Sequence, residues 1–187
     1  MRMKYIQRYR TPEGFDDLLM CSDGEVLTGL WFEGSRDNSL IVETRHGTSL
    51  PAVFSETRRW LDVYFAGRQP DFVPAFRMDG LTPFRKQVSD IMLEIPFGQT
   101  LTYGEIAKRI VETFRETSPL PRKMSAQAVG GAVGWNPICI IVPCHRVVGA
   151  NGNLTGYGGG MHNKIALLRL EGHDMKRFIV PAKSKAL

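Results

Sequence analysis

Residues 143–146 read Pro-Cys-His-Arg, which puts a thiol, an imidazole and a guanidinium in consecutive positions. A cysteine beside basic groups can have its pKa lowered, and the thiolate is the nucleophilic form. The pattern points to nucleophilic chemistry at Cys144. Its competitor is a small buried hydrophobe, the usual fate of a free cysteine. Adjacency alone leaves both open. Upstream, Ile140, Ile141 and Val142 form an apolar run that reads as a buried strand, ended by Pro143 because proline supplies no ladder N–H. Such a strand would hold the thiol rigidly.

The rest of the chain must position that stretch. Residues 3–10, 16–22 and 25–33 read as short strands separated by the turn signals Thr11-Pro12-Glu13-Gly14 and Ser22-Asp23-Gly24. Asp23-Gly24 between apolar runs predicts a hairpin. Phe54, Trp60, Leu61, Tyr64 and Phe65 fall at helical spacing after Pro51. This half holds no chemical constellation, since Cys21 and His46 stand isolated, and its expected role is support. A linker over 68–81 leads to Thr82-Pro83, an N-cap with proline at the first helical position. Thr102-Tyr103-Gly104-Glu105 is a capping-box pattern opening a second helix. A loop over 116–124 follows, and Ser125 caps a third helix.

That third helix contains Gly130 and Gly131, each costing roughly 1 kcal/mol relative to alanine. Small residues let a helix approach another surface closely, either a neighbouring helix or a nucleic-acid groove. Two helices followed by a short third are compatible with a helix-turn-helix unit. Beyond the cysteine, 149–153 is a turn containing Asn151-Gly152, and 156–160 is a glycine cluster that lets backbone approach a flat ligand. Residues 162–170 read as a helix that Gly172 stops, and the tail beyond 180 reads as poorly ordered.

At 187 residues, with 43% hydrophobic and 23% charged side chains, the chain suits one large or two small globular domains. No apolar run approaches the ~20 residues of a membrane span, and the Met-Arg-Met-Lys start opens no apolar signal segment. No membrane association and a cytoplasmic setting are therefore expected. Cys21, Cys139 and Cys144 lack C-x-x-C spacing, so neither a disulfide framework nor a zinc site is expected. Residues 1–79 carry 10 Lys and Arg against 12 Asp and Glu, whereas residues 80–187 carry 14 against 7. A basic second half points to a polyanionic partner, nucleic acid first, with a merely solvated surface equally open.

Pro143-Cys144-His145-Arg146-Val147-Val148 resembles the active-site signature of the 6-O-alkylguanine-DNA alkyltransferases, or methylated-DNA–protein cysteine methyltransferases. The resemblance runs back through Ala128-Val129-Gly130-Gly131-Ala132 and Asn136-Pro137. It runs forward through Gly156 to Gly160, Lys164 and Leu170-Glu171-Gly172, covering about residues 82–173. It implies an α+β fold: residues 1–79 as a small α/β, ribonuclease H-like domain, and 80–175 as a helical, winged-helix-like domain bearing a helix-turn-helix, with 176–187 as a tail. It also implies that the third helix meets DNA through the minor groove, where its small residues avoid the sugar-phosphate walls.

The implied reaction is DNA repair by direct reversal on double-stranded DNA containing alkylated guanine, with 4-O-alkylthymine as an alternative base. The target nucleotide is flipped out so that a thiolate can reach the alkyl carbon. Cys144 is then the nucleophile and final acceptor. His145, held by Glu171, takes the thiol proton through a bound water, and Asn136 fixes the turn around the cysteine. Tyr103 carries a phenol suited to protonating the purine. Gln127, Ala128, Gly131, Tyr157, Gly158 and Gly159 are the expected DNA and base contacts. Arg146 is expected either to ion-pair or to contact phosphate, and Lys164 to hold the active-site loop.

Two positions depart from the family pattern. Gln127 stands where many members have an arginine finger, and it lacks the charge and plane of a guanidinium. Gly158 stands where some members have a serine touching the base edge. The thioether product is stable to water, so a monomer consumed once per alkyl group, with no cofactor or metal, is expected. Two rivals are a non-catalytic sensor of alkylated DNA, which would not require the thiol, and a Cys-His hydrolase, which would need turnover and an oxyanion site.

Overall fold

A computed structural model describes residues 5–35, 50–117 and 124–181. His46, Lys183 and Lys185, and most of the expected 116–124 loop, lie outside them. The chain runs β1 (Tyr5–Tyr9), β2 (Leu18–Ser22), β3 (Leu27–Phe32), α1 (Ala52–Phe65), α2 (Pro83–Leu93), β4 (Leu101–Thr102), α3 (Tyr103–Thr117), α4 (Ala126–Gly134), β5 (Val147–Val148) and α5 (Met161–Leu170). Among the described residues it is a mixed fold of five helices, one small antiparallel sheet and one short parallel pair.

The sheet is ordered β1-β2-β3, with Ile6 opposite Cys21 and Met20 opposite Leu30. The Asp23 carboxylate closes the hairpin between β2 and β3 by accepting from the amides of Glu25 and Val26, both at 3.1 Å. Alternation sends Leu18, Met20, Leu30 and Phe32 into the main core, where they meet Leu61 and Tyr64 of α1. The same cluster continues through Met92, Ile106 and Val129, so the sheet and the C-terminal helices share one core.

Local caps set the helix starts. Thr82 Oγ1 accepts from the Arg85 amide with Pro83 at the first position, and Ser125 Oγ accepts from the Ala128 amide. Thr102 and Glu105 exchange bonds: the Glu105 amide donates to Thr102 Oγ1 at 3.1 Å, and the Thr102 amide donates to Glu105 Oε2 at 2.7 Å. Helix α4 packs on α2 and α3 through Val129, Ala132 and Val133. Its opposite face, with Gln127, Ala128 and Gly131, is exposed. A side chain at Gly131 would meet nothing within 4 Å, and one at Gly130 would reach only Tyr103, at ordinary contact distance. Close packing inside the protein therefore does not account for the two glycines.

The segment before the cysteine differs from the expected strand. Ile138 forms a single parallel bridge with Leu30, after which residues 139–142 make a tight turn, and regular strand returns only at Val147–Val148. An apolar run reports burial and leaves conformation undecided. Here the conformation is set by Asn136. Its side-chain carbonyl accepts from the Ile138 amide at 3.0 Å, and its Nδ2 donates to the Val142 carbonyl at 2.7 Å. The turn holds Ile140 at φ 67°, where a β-branched residue is rarely found, at a cost on the order of 1–3 kcal/mol. Pairing to β3 secures it from the other side: the Leu30 amide donates to the Pro137 carbonyl and the Cys139 amide to the Leu30 carbonyl, both at 2.8 Å.

Past the cysteine, β5 pairs in parallel with β4, placing Leu101 opposite Val147. Asn151 and Gly152 take positive φ in the following turn, as Asn-Gly should. Residues 178–179, within the expected 176–187 tail, pack back onto this turn through a bridge between Ile179 and Asn153.

Candidate active site

Cys144 opens a single helical turn, Cys144–Arg146, that follows directly from the strained turn. Its sulfur accepts from Asn136 Nδ2 at 3.0 Å, so one amide holds both the turn and the thiol. The sulfur lines a cavity of about 720 Å³. One wall is α4 with Gln127, Gly130 and Gly131, and another is the loop carrying Tyr157, Gly158 and Gly159. Tyr103 completes the wall from the start of α3, its hydroxyl accepting from Thr155 Oγ1 at 3.1 Å. The end of β3 reaches the same cavity through Trp31 and Phe32, so both halves of the chain enclose it. No carboxylate lines it among the described residues.

The two residues that follow the thiol in its helical turn, His145 and Arg146, enter a buried polar cluster. His145 Nε2 is 2.8 Å from Glu171 Oε1, with both side chains fully enclosed. Arg146 donates from Nε and Nη2 to the same carboxylate, at 3.0 Å and 2.9 Å, and from Nη1 to the Ile95 carbonyl at 2.6 Å. Gly98 donates its amide to Glu171 Oε2 at 3.1 Å. Glycine is required there, because φ is +74° and a Cβ would stand 3.2 Å from the Glu171 carbonyl. Tyr64, from α1, donates its hydroxyl to Glu171 Oε1 at 2.7 Å.

Burial alone would raise the Glu171 carboxyl, but the hydrogen bonds and charges of His145 and Arg146 outweigh it and hold the group well below the usual carboxylate range. Burial lowers His145, against the pull of Glu171, so the imidazole is neutral. With an ionised carboxylate at Nε2, the ring proton belongs on that nitrogen. The buried Nδ1 then offers a lone pair, and it has no partner among the described residues.

Burial pushes the Cys144 thiol up, with the Asn136 bond and the Lys164 charge opposing it. The basic neighbours in sequence do not lower it, contrary to the reading from adjacency. The thiol rests protonated and needs a base. Lys164 is fully buried, donates to the Val147 carbonyl at 2.7 Å, and is pushed down to about 8 by desolvation.

Residues 83–173 match the model of the family described as 6-O-methylguanine DNA methyltransferase, DNA binding domain. The methylated-DNA–protein-cysteine methyltransferase of Mycobacterium tuberculosis is 42% identical over 169 residues, covering 87% of this chain and 91% of the relative. This chain belongs to the methylated-DNA–protein-cysteine methyltransferase family. The relative of that name in Methanosarcina acetivorans is 48% identical over 119 residues, 64% of this chain and 69% of its own. The crystal structure of M. tuberculosis O6-methylguanine methyltransferase aligns with a TM-score of 0.71 at 40% identity, covering 97% of both chains. An M. tuberculosis relative in complex with DNA aligns with the same score over 93% of this chain and 94% of its own.

In this methyltransferase, Cys144, Asn136, Tyr103, Gln127, Gly131, Tyr157, Gly158 and Gly159 gather around one cavity. Ala128 is exposed on α4 but stands outside the lining. His145 and Glu171 are buried and paired with each other outside the lining, His145 next to Cys144 in the chain. Arg146 is only 6% exposed and spends its guanidinium on Glu171 and Ile95, so of its two expected roles the geometry gives ion pairing and excludes a phosphate contact. Lys164, expected to hold the active-site loop, is likewise enclosed and donates to the Val147 and Thr155 carbonyls. Gly159 has no room for a side chain, since a Cβ would lie 2.7 Å from the Phe32 ring. At Gly158 nothing lies within 4 Å, so the missing serine is not a matter of space.

Tyr64, which donates to Glu171, is one residue of this cluster that the sequence reading did not single out. It sat in an apolar helical stripe and read as core. The available signal was its hydroxyl, because a buried tyrosine usually finds a hydrogen-bond partner.

Proposed function

We propose that this chain repairs double-stranded DNA by direct reversal, moving the alkyl group of a 6-O-alkylguanine irreversibly onto Cys144. The observation that carries the assignment is the seat of that thiol. It faces a cavity able to take a base, is held by the Asn136 amide, and stands before an imidazole whose Nε2 is tied to a buried carboxylate. Holding an imidazole by a carboxylate is the arrangement used to activate nucleophiles.

The target nucleotide leaves the stack and enters between α4 and the 156–160 loop. His145 takes the thiol proton at Nδ1 through one water. The Asn136 N–H and the nearby Lys164 charge favour the thiolate. A sulfur–carbon bond forms as the bond from the alkyl carbon to the guanine 6-oxygen breaks. The electron pair stays with the purine, and the Tyr103 phenol protonates it. Burial keeps that phenol protonated, as the role requires. Tyr103 regains a proton as the His145 imidazolium releases the one taken from the thiol, so in net terms the thiol proton ends on guanine and the alkyl group on sulfur. The thioether has no resolving partner, so each molecule acts once.

Residues 80–175 form the DNA-binding catalytic unit in this reading, supported by the span of the family match. Helices α3 and α4 serve as the helix-turn-helix, supported by the exposed small-residue face of α4. The strand pattern β1-β2-β3 followed by α1 supports the ribonuclease H-like description of the first half. Gln127 fills the gap left by the flipped base and bonds to its orphaned partner, with weaker insertion than an arginine would give. The protein acts as a monomer, since one chain supplies every group around the thiol.

A DNA-side measurement tests the reading. With a duplex bearing one 6-O-methylguanine in excess over protein, digestion to nucleosides should show modified base lost in an amount equal to the protein, with no cofactor added. Conversion beyond one equivalent would overturn single turnover, and no conversion would overturn transfer.

A further inference from the structure

The half of the chain without a nucleophile nevertheless reaches the reaction centre through one residue. Tyr64 is fully buried near the end of α1, and its hydroxyl lies 2.7 Å from Glu171 Oε1 and 3.2 Å from His145 Nε2. The His145–Glu171 contact is 2.8 Å, so the three atoms form a closed triangle. We infer that Tyr64 is a positioning residue for alkyl transfer: its hydroxyl fixes the Glu171 carboxylate and the His145 ring in the one arrangement that leaves Nδ1 to serve Cys144. The inference rests on the transfer reading given above.

Three observations carry it. First, the phenol is locked. Its ring stacks on Trp60 at 5.4 Å and 7°, meets Phe65 and Phe97 edge-on at 5.6 Å and 5.8 Å, and meets the His145 ring edge-on at 6.3 Å. Second, packing does not need the hydroxyl. A phenylalanine would fill the same aromatic cluster, and burying a hydroxyl without a partner costs roughly 2–7 kcal/mol. Glu171 is the partner that offsets this cost. Third, the bond acts on a crowded carboxylate. Glu171 already accepts from Arg146 and Gly98, and each further donor spreads its charge.

The groups facing His145 set the direction of the effect. Glu171 favours the imidazolium, whereas Arg146 and Lys164 oppose it together with burial. The Tyr64 hydroxyl stabilises the carboxylate directly, so that Glu171 orients the ring without drawing a second proton onto it. In Tyr64→Phe, Oε1 loses a donor and turns more fully to the imidazole. The imidazolium becomes easier to form, and the base is lost at a higher pH than in the wild type.

The test is the pH profile of single-turnover methyl transfer from a 6-O-methylguanine duplex, measured for wild type, Tyr64→Phe and Trp60→Phe. Tyr64→Phe should move the acid limb upward by about one unit. On the acid limb, below both imidazole pKa values, its rate should then fall by about tenfold, and the deficit should close at alkaline pH, where both imidazoles are neutral. Trp60→Phe trims the stack without touching the triangle, so it should lower stability and leave the limb in place. A Tyr64→Phe profile that superimposes on wild type, or falls equally at all pH, would overturn the inference. Absent transfer in wild type would instead remove the functional reading beneath it.

Discussion

Glu171→Gln should lower folding stability by about 3–5 kcal/mol, the cost of leaving a buried charge without its partner. The substitution is nearly isosteric, so the loss reports charge and not a cavity. Arg146 is only 6% exposed and has the Ile95 carbonyl as its other partner, so it cannot turn to solvent. For a chain of 187 residues the melting temperature should drop by roughly 6–20 °C. Transfer should slow as well, by about 10²–10⁴-fold, because His145 loses the group that fixes its tautomer. A double variant, Glu171→Gln with Arg146→Met, separates the two effects. Removing both charges should recover much of the stability, since buried pairs are often replaceable by apolar groups. It should not recover the rate. Thermal melts and single-turnover kinetics on the three proteins check this, and full retention of rate in Glu171→Gln would contradict the role of the pair.

The pair also fixes how stability responds to acid. Glu171 is held below its unfolded value, so its contribution is full above about pH 4.3 and is lost as pH falls through the folded value. His145 is lowered too, so the unfolded chain binds its proton first, below about pH 6.5. Both terms destabilise the fold in acid.

Cys144→Ala should abolish transfer while leaving the protein folded and able to bind alkylated duplex. The sulfur accepts a side-chain hydrogen bond from Asn136, and that amide keeps the Val142 carbonyl as acceptor. Losing the sulfur should therefore cost only about 1 kcal/mol. The complex with a 6-O-methylguanine duplex should persist, since the base enters but the reaction cannot complete. Labelled methyl on the protein, measured beside gel retardation of the duplex, decides the matter. Methyl still transferred by the variant would mean another nucleophile, and Cys139 lines the same cavity.

The parts of this fold legible in sequence were those set by local chemistry. Thr82, Ser125 and the Thr102–Glu105 box cap helices through bonds spanning three residues, so their spacing carries the answer. Asp23-Gly24 announced its hairpin for the same reason. The run before Pro143 did not announce its turn, because Ile140, Ile141 and Val142 are equally apolar in a strand or in a buried bend, and Asn136 makes the choice. Arg146 looks alike in sequence whether it faces phosphate or a carboxylate, and burial against Glu171 decided for the carboxylate. The direction of the Cys144 shift was not legible in sequence, because Arg146 points into its pair with Glu171 and desolvation of the thiol outweighs the opposing Asn136 bond and Lys164 charge. Tyr64 meets Glu171 across 107 residues, a distance over which no local pattern reaches.

The central claim is that Cys144 itself accepts the alkyl group once. Intact and peptide mass spectrometry after mixing the protein with a duplex bearing one 6-O-methylguanine tests it most directly. The expected result is a gain of one methyl group per protein molecule, carried by the peptide containing Cys144, with no further gain in excess DNA. An unchanged protein mass alongside tight binding, or a methyl group on any other residue, would contradict it.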